Sequence, residues 1–352
     1  MTETVQINPT PAYRRIATEE AFAPPQMLKM YLDLYESRKL DDPGFDSLWG
    51  FYLTSMAPRP AAIREKLADL DAIRIADMDA AGIDHQIISL TSPGVQVFDR
   101  ETAVSLAQDS NDMLHDAITR HPTRFSGLCA IAPQAPDLAA QELERCVKLG
   151  FKGIINNSHT HGEYLSDKKF WPIFEAAEAM DMPIYLHPYT PPKNMISPML
   201  EAGLDGAIFG FGVETGMHLL RIITSGAFDR FPKLRIIVGH MGEALPYWMY
   251  RLDYMHAAGV RAGRYECMKP LQKKVSDYLR ENVYITNSGM AWEPAIKFAQ
   301  QVIGEDRIMY AMDYPYQYTP SEVADLDNMD MSDELKRKFY QGVAEHVFKL
   351  TV

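Results

Sequence analysis

Eight short apolar runs recur along this chain, at residues 14–22, 85–92, 125–133, 151–157, 183–188, 234–242, 283–289 and 308–313. Several are almost unbroken in apolar residues, as strands buried on both faces must be. Helical patterns separate them, over residues 62–81, 103–120, 138–149, 168–180, 213–224, 244–258, 293–303 and 333–348. Gly82, Gly150 and Gly304 fall where helices would end in a left-handed cap. A strand–helix alternation repeated eight times predicts an α/β chain of the (β/α)8 TIM-barrel class. Barrels of this kind carry their active sites at the C-terminal ends of the strands.

Two stretches exceed a minimal barrel. Residues 23–60 are rich in Tyr, Phe, Pro and Asp, and residues 189–211 contain Pro191, Pro192, Pro198 and Gly203. Both follow strand ends, so both are predicted as loop insertions over the catalytic face. With no boundary legible in composition, residues 1–352 are read as one barrel domain.

Bulk properties exclude some functions. The formal charge of −12 argues against nucleic acid as the main partner. Apolar content of 47% and charged content of 23% suit a globular protein. No apolar stretch approaches a membrane span, and the start, Met1 to Gln6, lacks the pattern of a signal peptide. Cys129, Cys146 and Cys267 form neither a disulfide framework nor a paired zinc motif. Cys129 and Cys146 are expected in the core, and a reducing cytoplasm is the expected compartment.

Metal-ligand residue types stand at the ends of four runs: Glu19, His187, His240 and Asp313. Each is ambiguous alone. A strand-end His is commonly a hydrogen-bonded structural residue, and one of Glu19 and Glu20 must face away from the barrel mouth. A carboxylate ending the apolar run at Asp313 is costly unless paired or metal-bound. Gly239 and Gly242 allow close backbone approach around His240, and Glu243 can orient its imidazole. Converging on one barrel mouth, the four suggest a single divalent metal.

The chain resembles the decarboxylase branch of the metal-dependent amidohydrolase superfamily over almost its whole length. The markers are Glu19 to Phe22, Gly150 to Gly153, Tyr185 to Pro188, Gly239 to Glu243 and Met312 to Pro315. Hydrolytic relatives begin with a His-x-His pair, and here those positions are Glu19 and Ala21. Exchanging two imidazoles for a carboxylate hardens the site and favours Mn²⁺ or Mg²⁺ over Zn²⁺. The resemblance implies Mn²⁺ held by Glu19, His187 and Asp313, with His240 beside the metal or substrate and Glu243 holding His240.

The reaction implied is non-oxidative decarboxylation of an ortho-hydroxy aromatic acid, foremost 5-carboxyvanillate to vanillate and CO2. Asp313 would protonate the ring. Substrate contacts are expected from Arg251, Arg59, Tyr52 and Tyr316, because guanidinium groups match carboxylates and phenol rings suit an aromatic ligand. Trp171, Phe174 and Trp248 are expected to fill helix–barrel contacts. His159 and His161 are expected in supporting or surface roles. The expected partners are a small aromatic carboxylic acid and further copies of this chain, as a homodimer or homotetramer, without nucleic acid or membrane. Alternatives are a γ-resorcylate-type or semialdehyde decarboxylase, a metal-dependent hydrolase, or a silent barrel that binds aromatic acids.

Overall fold

The computed structural model describes residues 11 to 351, so the expectation about residues 1–6 lies outside them. Eight strands stand side by side in chain order: β1 (Ile16–Phe22), β2 (His85–Leu90), β3 (Phe125–Ala130), β4 (Gly153–Asn157), β5 (Ile184–His187), β6 (Ile236–Val238), β7 (Val283–Thr286) and β8 (Ile308–Met309). Neighbours are parallel throughout. With helices between them they form a nearly closed (β/α)8 TIM barrel, as the eight apolar runs predict. Ile87, Ile154, Ile184, Ile236 and Ile308 are fully buried in its wall. Cys129 and Cys146 are buried and Cys267 is exposed. Among the described residues no helix is long and apolar enough to cross a membrane.

Closure is uneven. β5 and β6 pair in register at Ile184–Ile236, Tyr185–Ile237 and Leu186–Val238. Among the described residues no ladder joins β8 back to β1. Strand-edge amides must then find other partners. The Thr18 hydroxyl donates to Tyr310 O (2.8 Å), and the Ala21 amide to Tyr314 O (2.7 Å). The Met312 and Tyr314 amides donate to the Glu20 carboxylate at 3.0 and 3.3 Å. β1 also carries a bulge: Ala17 pairs with Gln86 but Glu20 with Ile88, one residue too many on β1.

The two predicted loop insertions are corrected. Residues 23–60 hold the helices Pro25–Ser37 and Pro43–Thr54 and the start of Pro58–Ala68. Proline suits the first helical position, where no amide partner is needed, so these prolines start helices. Asp42 caps the second by accepting from the Gly44 and Phe45 amides. Residues 189–211 include the helix Lys193–Ala202, closed by Gly203 at φ 68°. The predicted helix at 62–81 is two helices, Pro58–Ala68 and Ala72–Ala81. The helix Val275–Glu281 had no legible pattern.

Candidate active site

His187 is the last residue of β5, and its Nδ1 donates to Pro188 O at 2.8 Å. A carbonyl only accepts, so Nδ1 carries a proton and Nε2 is the free nitrogen. Nε2 lies 3.3 Å from Glu19 Oε1. His240 lies beyond β6. It opens a turn in which His240, Met241, Gly242, Glu243 and Ala244 have φ of 51, 56, 74, 51 and 60°. Left-handed backbone costs a non-glycine residue about 1–3 kcal/mol and concentrates at functional sites. The turn brings His240 Nδ1 to Glu243 Oε1 at 2.9 Å and leaves Nε2 3.6 Å from Glu19 Oε1. Glu243 thus accepts a hydrogen bond from the His240 ring.

Glu19 is buried among these groups. The Tyr185 and Thr286 hydroxyls both donate to its Oε2. Oε1 is buried and, among the described residues, accepts no hydrogen bond. A Cβ on Gly239 would stand 2.4 Å from Oε2, so this approach requires glycine. Burial opposes the charge of Glu19, yet His240 and His187 hold its carboxyl below the usual range. Burial would lower His240, but Glu19 and Glu243 lift it to about 10.

The residues fit a divalent cation. Nδ1 of each ring carries a proton and each Nε2 faces the unsatisfied carboxylate oxygen, so a proton or a cation must stand between them; the upward push on His240 expresses the same demand. Neighbouring ligands at about 2.0–2.1 Å from an octahedral cation lie about 3 Å apart. The 3.3 and 3.6 Å separations approach that value. Among the described residues no three His, Cys, Asp or Glu side chains are already closed into a metal cluster.

Asp313 is four residues beyond β8, in a loop, with its backbone at φ 66°. This corrects the reading that it ends a strand. A Cβ built on Gly289 would meet Asp313 Oδ2 at 3.2 Å and His240 Cδ2 at 3.5 Å, so both side chains border one point. Burial and then the charge of Glu19 push Asp313 up to about 7, against the pull of His240 and His187. A bound cation would reverse that shift. A cavity of about 680 Å³ opens beside Asp313, His240 and Glu243, walled by Phe211, Trp292 and Phe298.

Three of the four expected substrate residues gather near Asp313. The Tyr316 hydroxyl is 2.6 Å from Thr91 Oγ1, its ring is 5.6 Å from that of Tyr52, and Arg59 donates to Tyr316 O at 2.9 Å. Arg251 differs from expectation. It lies two positions after buried Met249, about 200° further round the helix Leu245–Ala262, and is exposed. It lines a neighbouring groove with Leu220, Trp248 and Met255, which no candidate metal ligand borders. Trp248 is 52% exposed and does not fill a helix–barrel contact, whereas Trp171 and Phe174 pack on Phe231. His159 and His161 bond to Thr190 O and Phe98 O, in supporting roles. Sequence reasoning missed Tyr185 and Thr286. Tyr185 had a signal: it lies two residues before His187 and so on the same strand face.

The family model described as Amidohydrolase matches residues 53–350. A γ-resorcylate decarboxylase of Polaromonas sp. strain JS666 is 38% identical over 297 residues, 82% of this chain and 90% of that protein. The crystal structure of 5-carboxyvanillate decarboxylase from Novosphingobium aromaticivorans, complexed with manganese and 4-hydroxy-3-methoxy-5-nitrobenzoic acid, is 58% identical with a TM-score of 0.96. It covers 99% of this chain and 100% of that one. A dihydroxybenzoic acid decarboxylase from Polaromonas sp. JS666, with bound manganese and 2-nitroresorcinol, is 34% identical with a TM-score of 0.81, covering 97% and 98%. Barrel and family match agree: the chain belongs to the amidohydrolase family.

Proposed function

We propose that this chain is a manganese-dependent, non-oxidative decarboxylase of an ortho-hydroxy aromatic acid, with 5-carboxyvanillate the foremost substrate. The observation that carries this is full-length likeness, at 58% identity, to the decarboxylase holding manganese and the nitro analogue. In that analogue a nitro group stands where 5-carboxyvanillate has its departing carboxylate. Glu19 in place of the first imidazole of a His-x-His pair favours a hard cation and counts against hydrolysis. Relatives named γ-resorcylate decarboxylase keep that acid as the second candidate.

Glu19, His187 and Asp313 would hold the metal. When bound, it supplies positive charge that fixes the substrate's carboxylate and phenolate oxygens. The chemistry falls to the chain's own side chains. An arene carboxylate cannot leave directly, because its bonding electrons would be left orthogonal to the ring π system. Asp313, protonated from the substrate phenol, gives that proton to the ring carbon bearing the carboxylate. The carbon becomes tetrahedral, the C–C bond breaks as CO2 leaves, and its electron pair restores the ring. His240, held by Glu243, steadies the substrate oxygens. Tyr52, Tyr316 and Arg59 would border the ring.

The chain is further proposed to act in the cytoplasm as a homodimer or homotetramer. Tyr247, Tyr250, Tyr254 and Trp292, all more than half exposed, give an aromatic face that supports association. Arg251 shares the helix of the three tyrosines, so any role in binding the substrate carboxylate goes with association.

The test is decarboxylation of 5-carboxyvanillate and γ-resorcylate, with metal content measured on the same sample. Stoichiometric CO2 with about one manganese per chain is expected. Release of CO2 from neither acid by manganese-loaded protein would refute the reading.

A further inference from the structure

Glu20 is fully buried at the seam, and the chemistry above makes no use of it. Its Oε1 accepts from the Met312 amide at 3.0 Å, and its Oε2 from the Tyr314 amide at 3.3 Å. These amides flank Asp313, whose backbone is left-handed. Such backbone persists where its surroundings over-determine it. Among the described residues no strand ladder does so here, because β8 ends at Met309.

The carboxylate is itself anchored. The Ala21 amide donates to Tyr314 O at 2.7 Å, and Ala21 O accepts from Arg74 Nη2 at 2.6 Å. The Arg74 guanidinium lies 4.6 Å over the Tyr314 ring, and its Nη1 reaches Gln86 Oε1 on β2 at 3.2 Å. The end of β1, Arg74 and the segment around Asp313 thus form one locked unit.

We propose that Glu20 is the positioning residue for Asp313: by bridging the Met312 and Tyr314 amides, it sets the direction in which Asp313 faces Glu19 across the seam. This rests on reading Glu19 and Asp313 as ligands of one metal. Glu20 acts through backbone alone. Burial pushes its carboxyl up to about 8, but each oxygen keeps an acceptor lone pair in either protonation state.

Thr18 supplies an internal control. Its hydroxyl stitches the same seam at Tyr310 O, three residues before Asp313, without touching the flanking amides. A purely structural seam would make the two residues equivalent. Glu20→Gln keeps the shape but turns an NH2 group toward one of the two amides, donor against donor.

The experiment is Mn²⁺ titration of metal-stripped wild type, Glu20→Gln and Thr18→Val, read by electron paramagnetic resonance. Glu20→Gln is expected to weaken Mn²⁺ binding about 10- to 100-fold and to change the bound-ion line shape. At saturating Mn²⁺, its kcat falls while KM stays near that of wild type. Thr18→Val should bind as wild type does. Wild-type affinity and line shape in folded Glu20→Gln overturn the proposal, as does an equal loss in Thr18→Val. A wild type that binds no Mn²⁺ instead overturns the metal reading beneath it. If Glu20→Gln does not fold, amide hydrogen exchange in the wild type decides. Met312 and Tyr314 amides as slow as those of β5 support the clamp, and exchange at exposed-loop rates overturns it.

Discussion

The β5–β6 wall and the β8–β1 seam deliver their side chains to the same mouth by different means. In the wall, a backbone ladder runs up to Leu186 and Val238, and His187 follows directly from it. At the seam no ladder forms among the described residues; a single backbone bond, from the Ala21 amide to Tyr314 O, is joined by bonds from the Thr18 and Glu20 side chains. A backbone ladder survives most side-chain changes, because its bonds belong to no particular residue. A stitched seam does not. Glu19 and Asp313 stand on its two sides, so their separation depends on particular side chains rather than on the sheet.

That contrast can be broken on the seam side first. Asp313→Asn keeps the shape but cannot deliver a proton, and kcat should fall about 10²- to 10⁴-fold with metal retained. Normal turnover in a metal-loaded variant would move the acid elsewhere, to Glu19 or a water on His240. On the wall side, Gly239→Ala would place a methyl 2.4 Å from Glu19 Oε2 and push that carboxylate aside. Mn²⁺ affinity should drop about 10- to 100-fold while the melting temperature barely moves. An unchanged affinity would mean that Glu19 does not need the position seen here. The smallest effect is expected from Thr18→Val, which loses about 0.5–1.5 kcal/mol of stability in denaturant unfolding. A loss of kcat/KM in that variant would show that the whole seam, rather than Glu20, tunes the site.

The wall was easier to read in the sequence than the seam. All eight apolar runs contain a strand, because a parallel strand buried on both faces must be apolar. Burial does not require pairing, however. Tyr310, Ala311 and Met312 are buried like strand residues but lie beyond the end of β8, so the run at 308–313 overstates that strand. His240 was likewise assigned to a strand end, although it opens a left-handed turn that no local propensity announces. Glu20 could be placed opposite Glu19 by alternation, but its partners, the Met312 and Tyr314 amides, lie 292 and 294 residues away. Arg251 is expected at the substrate because its guanidinium matches a carboxylate, and side-chain type says nothing about the face of a helix on which a residue stands.

In the proposed reaction the seam-spanning site protonates an aromatic ring to release CO2. The most direct measurement is turnover of 5-carboxyvanillate in D2O by manganese-loaded wild type, with the product examined by proton NMR. Vanillate is expected to carry one deuterium on the ring carbon that lost CO2, with no product after exhaustive chelation until Mn²⁺ is returned. Vanillate without deuterium at that carbon, or full turnover in metal-free protein, would contradict this reaction.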